Sequence, residues 1–339
     1  MTNDWPPSTL LESCPGKPLA QPRTAAVVAD AFRELVAGGH LDLPLPAGGD
    51  TAARWSALAA LGRLDLTLAR LAEGHADATA ILAEAGRTAV PDACYGVWAA
   101  RSGGTGAVLS RAGGELRLGG TVRFCSGAST LDRALVAATD GDDAMLVEVD
   151  VTNSRVLCDP GSWQAIGMDA SDSLDVLFDD VPVTPDMVIG PPGWYVSRPG
   201  FVLGSAGVAA VWLGGTAGVL DAVVAILTRG ADEHQLAHLG ALSAALRAAD
   251  SLLAATARLA DGSGADLAVP VRTAKAAVER AAWDMHDRVP RITGPTPLCR
   301  DHQFAQRLAD LQVYVRQHHA ERDLAVLGAA VLSAAESAR

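Results

Sequence analysis

The 339-residue chain is poor in aromatic rings and in basic residues. Seven Trp, five Phe and three Tyr make up its 4% of aromatic residues. Twenty-seven Lys and Arg face 39 Asp and Glu, giving a formal charge of −12. This balance argues against a nucleic-acid partner, because phosphate binding needs clustered cations. The apolar content of 49% excludes disorder for most of the chain.

Cysteine is scarce, and the N-terminus lacks a targeting pattern. The five cysteines lie far apart, without a CxxC pair, which favours a reducing compartment over a disulfide framework or a zinc ribbon. Residues 1–22 have neither a basic segment nor an apolar core, so we expect a flexible arm and no signal peptide. We therefore predict a cytoplasmic protein. His234 and His238 have zinc-ligand spacing but no third ligand nearby in sequence, so no metal site is expected.

One uncharged segment, Phe201–Leu220, is long enough to cross a membrane. Its Gly and Ala content dilutes its hydrophobicity, and no positive cluster follows it. We therefore predict a buried helix rather than a membrane span, with Gly214 and Gly218 allowing another helix to approach closely.

Three patterns succeed one another along the chain. Residues 23–92 have helical periodicity, with helices over 23–40, 51–61 and 65–86 and with Thr51 as an N-cap. Residues 93–190 alternate with period two, which predicts an antiparallel sheet or barrel. The predicted strands are 107–111, 115–124, 133–139, 143–151, 155–159 and 173–183. Residues 191–339 return to helices, predicted over 203–228, 233–260, 270–289 and 303–339, which suggests a four-helix bundle.

This order and three motifs resemble the acyl-CoA dehydrogenase family of flavoproteins. Leu118–Thr130 (LGGTVRFCSGAST) resembles the family's strand ending in a hydroxyl residue and Gly. Gly167–Gly190 (GMDASDSLDVLFDDVPVTPDMVIG) is similar to its GxRxSxTxxlxFdxVxVP segment, and Gly294–Gly328 to its final RD-containing helix. The resemblance implies an α+β fold with N-terminal helices, a central antiparallel β barrel and a C-terminal four-helix bundle.

The resemblance also implies FAD and the residues that bind it. The hydroxyl at the strand end serves flavin N5, the aromatic residue two positions earlier covers the ring, and an earlier strand end contacts the pyrimidine edge. The glycine-rich turn after that earlier strand binds substrate or phosphates, and a Gln in the bundle contacts the FAD of a partner subunit. The matching cofactor positions are Val97, Trp98, Gly103, Gly104, Phe124, Ser126 and Gln235, and the matching substrate positions are Arg101 and Ser102.

The catalytic carboxylate of the family has no counterpart at either of its usual positions. His318 aligns with the usual Glu and His319 with the residue after it, while the alternative position falls near Gly204 and Ser205. His318 is a candidate base because its ordinary pKa is near neutrality. Packing or solvation of both histidines within a bundle helix is the competing interpretation.

Two further departures concern the substrate side. The family's Thr-Glu-Pro is replaced by Trp98-Ala99-Ala100, and the helical segment before the sheet is short, which predicts a more open substrate site. Trp194 and Tyr195 lie in the linker between sheet and bundle, either as an anchor between domains or as a pocket wall.

The resemblance favours α,β-dehydrogenation of an acyl-CoA or another acyl thioester, with electron-transfer flavoprotein or O₂ as the acceptor. A flavin-dependent monooxygenase of the same fold is the alternative, and a third hypothesis is a non-catalytic member that has lost the base. The family's burial of FAD between subunits implies a homodimer or homotetramer.

Overall fold

Three helices precede the sheet in a computed structural model that describes residues 10–11, 19–101, 103–262, 266–317 and 319–337. These helices are α1 (Ala25–Ala37), α2 (Thr51–Leu64) and α3 (Leu66–Glu84). Asp65 begins α3 by accepting hydrogen bonds from the amides of Thr67 and Leu68, each at 2.9 Å. The prediction of Thr51 as an N-cap is wrong, because Asp50 accepts the amide of Ala53 and Thr51 is already helical.

Seven strands form one sheet in which all six predicted strands are present. The strands are β1 (Tyr95–Trp98), β2 (Gly106–Ala112), β3 (Glu115–Cys125), β4 (Arg133–Asp140), β5 (Asp143–Asp150), β6 (Val156–Asp159) and β7 (Leu174–Val183). Their order is β1-β4-β2-β3-β7-β6, with β5 also paired to β4. The expectation of a purely antiparallel sheet is wrong, because β1 and β2 both pair with β4 in parallel. They follow the same edge of β4 and are separated by the turn that contains Gly103 and Gly104.

The chain then returns to helices. They are α4 (Trp194–Ser197), α5 (Gly200–Leu227), α6 (Glu233–Ala260), α7 (Ala268–Thr293), α8 (Pro295–Arg300), α9 (His302–Tyr314) and α10 (Glu321–Ser337). Two predictions of helix extent are wrong. The helix expected from residue 303 to the end is interrupted after Tyr314 by a 3₁₀ turn, Val315–Gln317. The helix expected to end at residue 289 continues through Pro290 to Thr293.

Helix α5 lies at the centre of the helical core, as predicted for the uncharged segment. It has the length and composition of a membrane span, but most of its residues are buried within the fold. A Cβ on Gly214 would lie 1.8 Å from the carbonyl oxygen of Ala59 in α2, and one on Gly62 would lie 2.2 Å from that of Val211 in α5. The glycines therefore allow the α2 and α5 backbones to touch.

Helices α1 and α3 pack on the sheet, where Phe32 and Leu71 join the core residues of β3, β4 and β7. The helix, sheet and helix order confirms the α+β fold class. The domain boundaries at residues 22, 92 and 190 stay a prediction.

Candidate active site at the end of strand β3

An exposed aromatic ring stands at the end of β3 on a strained backbone. Phe124 has a φ of +60° and is 52% exposed. A bulky residue in the left-handed region is a conformational outlier, and such outliers concentrate at functional sites. The ring meets Trp163 edge-on, with centroids 6.5 Å apart. The fold therefore holds an aromatic side chain out toward solvent at a cost in backbone energy.

Buried hydroxyls lie two residues further along the chain. The Ser126 hydroxyl is 2.9 Å from that of Ser173, which is 2.8 Å from that of Ser171. The Ser171 hydroxyl donates to the carbonyl of Met168 at 2.7 Å, and the indole N–H of Trp98 donates to the carbonyl of Ser126 at 3.2 Å. These bonds fix Ser126 from both sides.

The turn that carries Ser171 and Ser173 is itself strained and anchored. Met168 and Asp172 have φ values of +59° and +49°. The amide of Met168 donates to the buried carboxylate of Asp310 in α9 at 2.6 Å. Arg23, just before α1, forms ion pairs with Asp310 and with Asp65. This network holds the strained turn between the first helices and the bundle.

A small recess lies beside Ser126, between α3 and β1. It is shallow and open to solvent, with room for about one water molecule, and is lined by Arg70, Leu71, Gly74, Tyr95, Gly96, Val97, Ser126 and Leu131. Two of the predicted cofactor residues, Val97 and Ser126, therefore meet at one cavity. The indole of Trp98 donates to the carbonyl of Ser126, one of the lining residues.

Buried charges back this recess. Arg70 donates to Glu73 at 2.7 Å, and Arg198, whose side chain is 1% exposed, pairs with Asp77 at 3.1 Å and Glu84 at 2.9 Å. Burial, reinforced by the repulsion of Asp77, raises the pKa of Glu73 to about 7, against the attraction of Arg70. The site therefore contains a buried carboxyl group that changes protonation near neutral pH.

Carboxylates of α3 occupy the space beside the first turns of α5, where the family has its alternative position for the catalytic base. A Cβ on Gly204 would lie 2.8 Å from the Asp77 carboxylate, and one on Gly200 would lie 1.8 Å from that of Glu84. Both carboxylates are paired with Arg198. Glycines at the start of α5 thus accommodate an ion-pair network from α3.

The predicted turn between β1 and β2 lies next to the end of β3. Gly103 and Gly104 have φ values of +60° and +78°, and a Cβ on Gly103 would lie 3.2 Å from the guanidinium of Arg123. Arg101 donates to the carbonyl of Ala138 at 3.3 Å and its side chain is exposed. Ser102 lies outside the described residues.

Trp194 and Tyr195 pack where α3, β1 and β5 meet. Both belong to a cluster built on Ile81, Tyr95 and Leu146. The Tyr195 ring meets Phe201 edge-on at 5.4 Å and lies 5.7 Å from the Arg198 guanidinium carbon. Burial raises the pKa of the Tyr195 hydroxyl above its ordinary range. This placement fits the anchor between domains and puts Tyr195 against the charged network behind the recess.

The remaining candidates lie elsewhere in the described chain. His319 is exposed, and its ring is 3.8 Å from the carboxylate of Asp323 at the start of α10. His318 lies outside the described residues. Gln235, in the first turn of α6, accepts the amide of Asp232 and donates to the carbonyl of Ile292 at 2.8 Å. The described contacts connect neither His319 nor Gln235 to Ser126, so their assignments stay predictions.

Sequence reasoning missed Arg70, Glu73 and the support from Ser173. A signal was available: Arg70, Glu73 and Asp77 fall on one face of α3, in a helix otherwise rich in Ala and Leu. Charges on one face of a helix that must be buried indicate a polar site rather than a solvated surface. Ser173 stood within the GMDASDS motif, but its pairing with Ser126 depends on the turn geometry.

Comparisons with known proteins bear on the fold. No protein-family model and no curated protein matches the sequence. Dibenzothiophene monooxygenase TdsC from Paenibacillus sp. A11-2 superposes with a TM-score of 0.73 at 19% identity, over 90% of this chain and 95% of that chain. KijD3 in complex with FMN and a dTDP-linked amino keto sugar superposes with a TM-score of 0.77 at 21% identity, over 90% of this chain and 86% of that chain.

Methanesulfinate monooxygenase MsuC from Pseudomonas fluorescens gives a TM-score of 0.75 at 21% identity, over 93% of this chain and 97% of that chain. TdsC has also been solved with FMN. The chain has the acyl-CoA dehydrogenase-like fold of these enzymes. At such low identity the likeness extends to the fold alone.

Proposed function

We propose that the chain is a flavin-dependent monooxygenase, the alternative that its sequence left open beside the acyl thioester dehydrogenase. The observation that carries the proposal is the strained, exposed Phe124 two residues before the buried Ser126. It lies in a fold shared with TdsC and MsuC, which are monooxygenases. A conformation that costs stability is kept where function needs it.

The residues at the end of β3 fit a flavin ring. A flavin needs a flat apolar surface and a polar partner at N5. Phe124 supplies an exposed aromatic face, and Ile166, on the loop that carries Trp163, is 83% exposed. The Ser126 hydroxyl supplies the polar partner, held in place by Ser173. The FMN in TdsC and KijD3 favours FMN over the FAD implied by the family resemblance.

A bound reduced flavin would supply the electrons that activate O₂. In this proposal Phe124 would hold the ring, and the Ser126 hydroxyl would be the polar partner of its N5. The Ser173 and Ser171 hydroxyls keep Ser126 in one orientation, and Trp98 fixes its carbonyl.

The ion pairing of Asp77 and Glu84 with Arg198 favours the monooxygenase over the dehydrogenase. Removal of a proton next to a thioester needs a carboxylate that can accept it. The carboxylates that fill the space beside Gly204 and Gly200 are instead held by Arg198. Glu73, whose pKa is raised to about 7, is paired with Arg70 at 2.7 Å and does not line the recess beside Ser126. A monooxygenase needs no such base, because a bound reduced flavin would itself supply the electrons that activate O₂.

Two assays separate these functions. In the first, protein loaded with oxidised FMN or FAD is mixed anaerobically with a panel of acyl-CoA thioesters. In the second, protein loaded with chemically reduced FMN is exposed to isotopically labelled O₂ together with aromatic, sulfur-containing and amino-sugar compounds. We expect no bleaching in the first assay and labelled product in the second. Bleaching by an acyl-CoA, with no label incorporated, would replace the proposal with the dehydrogenase.

The cytoplasmic location and the homodimeric or homotetrameric state belong to the same proposal. O₂ is its electron acceptor, so electron-transfer flavoprotein is not required. Gel filtration with light scattering measures the assembly state directly.

A further inference from the structure

The side-chain amide of Gln306 in α9 faces three acceptors at once. Its Nε2 donates to the carbonyl of Ile166 at 2.9 Å, to Asp169 Oδ1 at 3.1 Å and to Asp310 Oδ1 at 3.0 Å. An amide oxygen in this place would face only other acceptors, so these neighbours determine which end of the amide points inward. Gln306 therefore binds, as a donor, both ends of the segment Ile166–Asp169, termed the Met168 turn.

The Met168 turn lies directly on the backbone of α9. A Cβ on Gly167 would lie 2.0 Å from the carbonyl oxygen of Ala309, so the two backbones touch at this point. The amide of Met168 donates to Asp310 at 2.6 Å. Because Gln306 binds the residues at both ends of the turn, the Met168 peptide in its middle is held on either side and from α9 below it.

The carbonyl of Met168 connects the two halves of the proposed flavin site. It accepts the indole N–H of Trp163 at 3.0 Å, and the Trp163 ring meets that of Phe124. It also accepts the hydroxyl of Ser171 at 2.7 Å, which is linked through a second serine hydroxyl to Ser126. One peptide group therefore sets the position of the aromatic surface relative to the hydroxyl.

We propose that Gln306 is a positioning residue of the flavin site, which holds the Met168 turn so that Phe124 and Ser126 face the same bound ring. The inference rests on the proposed function, because it concerns the same site. Gln306 contacts neither flavin nor substrate in this role. It acts through the hydrogen bonds of the Met168 peptide, so what matters is the capacity of its side chain to donate.

Gln306→Glu removes that capacity with almost no change of shape. An ionised carboxylate cannot donate and would face the carboxylates of Asp169 and Asp310, so it would release the Met168 turn. The same repulsion raises the pKa of the new carboxyl, and its protonated form has an O–H that donates again. The defect should therefore be present at high pH and reversed at low pH.

Other charged groups face the same place and are shared by wild type and variant. They come from the arm before α1, the start of α3, the Met168 turn and α9: Arg23, Asp65, Asp169, His302, Arg307 and Asp310. Each affinity is therefore expressed as the ratio of variant to wild type at one pH. Gln303→Glu is the matched control, because Gln303 precedes Gln306 by about one turn of α9, is exposed, and makes no hydrogen bond to the described residues of the Met168 turn.

Titration of the purified proteins with FMN at about pH 8 and about pH 5 measures the effect. We expect Gln306→Glu to bind FMN at least about tenfold more weakly than wild type at the higher pH, and within about threefold of it at the lower pH. Gln303→Glu should match wild type at both pH values. Gln306→Lys, which offers an ammonium donor to the same acceptors, should bind FMN within about threefold of wild type at about pH 8.

Amide hydrogen exchange of the flavin-free proteins measures the position of the turn without FMN. At about pH 8, residues 163–173 should exchange about tenfold faster in Gln306→Glu than in wild type, while exchange in α5 stays the same. This pattern separates a local release of the Met168 turn from a general loss of stability.

The inference is overturned by equal exchange of residues 163–173 in Gln306→Glu and wild type. It is also overturned by a loss of FMN affinity that does not vary with pH, or that Gln303→Glu shares. A wild-type protein that binds no FMN removes the proposed function instead, and the exchange of residues 163–173 then decides whether Gln306 holds the turn. Equal FMN binding by wild type and Gln306→Glu at the higher pH removes the positioning role alone.

Discussion

At the scale of single residues, the candidate site contains groups that lower the stability of the folded protein. Phe124 holds an unfavourable backbone angle with an exposed ring, and Glu73 is a carboxyl buried where its charge is costly. Each has a physical partner that explains its position: Trp163 beside the ring and Arg70 beside the carboxyl.

Phe124 can be separated into its backbone and ring contributions. Phe124→Gly and Phe124→Ala both remove the ring, but only glycine is at ease at a φ of +60°. The Phe124→Gly protein should therefore have a free energy of unfolding about 1 kcal/mol higher than that of Phe124→Ala. Both variants should lose FMN affinity equally. Urea denaturation and FMN titration measure the two effects, and equal stability of the variants would refute the strain.

Glu73 gives the stability of the protein a defined pH dependence. Its folded pKa of about 7 exceeds the ordinary value of 4.5, so its contribution is complete below about pH 4.5 and is lost as the pH rises through 7. Glu73→Gln should match wild type near pH 4 and exceed it at about pH 8 by up to about 3 kcal/mol.

Urea unfolding of wild type and Glu73→Gln at both pH values measures this difference. Glu34→Gln, on the exposed side of α1, serves as the control. A difference between wild type and Glu73→Gln that does not vary with pH would show that Glu73 remains ionised throughout.

At the scale of helices and strands, the periodicity of apolar residues predicted where the elements lie, because each element buries one face. The strands over 93–190 were predictable because one face of each is buried, as in β7, where Val176, Phe178 and Val181 point inward. The parallel pairing of β1 and β2 with β4 could not be predicted, because strand pairing depends on contacts between residues distant in sequence. Asp50 displaced Thr51 as N-cap through a one-residue shift that propensity does not resolve.

The crossing of α2 and α5 depends on glycine. Gly214→Ala would place a Cβ against the backbone of α2, which cannot move aside as a side chain would. We expect a loss of about 3 kcal/mol or more in the free energy of unfolding. Gly240→Ala, at an open position of α6, should be neutral or stabilising by up to about 1 kcal/mol. Similar unfolding midpoints for both variants would contradict the close approach.

At the scale of the whole molecule, one buried ion-pair network joins the first helices, the sheet and the bundle. Asp310 of α9 accepts from Arg23 and from the amide of Met168, next to the turn that supports Ser126. The family resemblance predicted these three parts and their order, and Asp310 lies within the segment Gly294–Gly328 that resembles the family's final helix. It did not reveal that Asp310 supports the site, because that link passes through Met168.

Asp310→Asn keeps the shape of the side chain and removes its charge. Arg23 loses one of its three carboxylate partners and keeps Asp65 and Asp169, so the free energy of unfolding should fall by about 2 kcal/mol. Asp221→Asn breaks the half-exposed pair with Arg63 and should cost less than about 1 kcal/mol. Thermal or urea unfolding compares the two variants. Equal losses would mean that the network joining the three parts contributes no more than a surface pair.

The central claim, that the end of β3 is a flavin site, is tested most directly by one absorbance measurement. Purified protein is mixed with FMN or FAD, freed of excess ligand, and its visible spectrum recorded. We expect retained flavin bands near stoichiometric amounts with FMN, and a reduced amount in Phe124→Ala. A colourless protein after exposure to either flavin would contradict the account and leave the non-catalytic alternative.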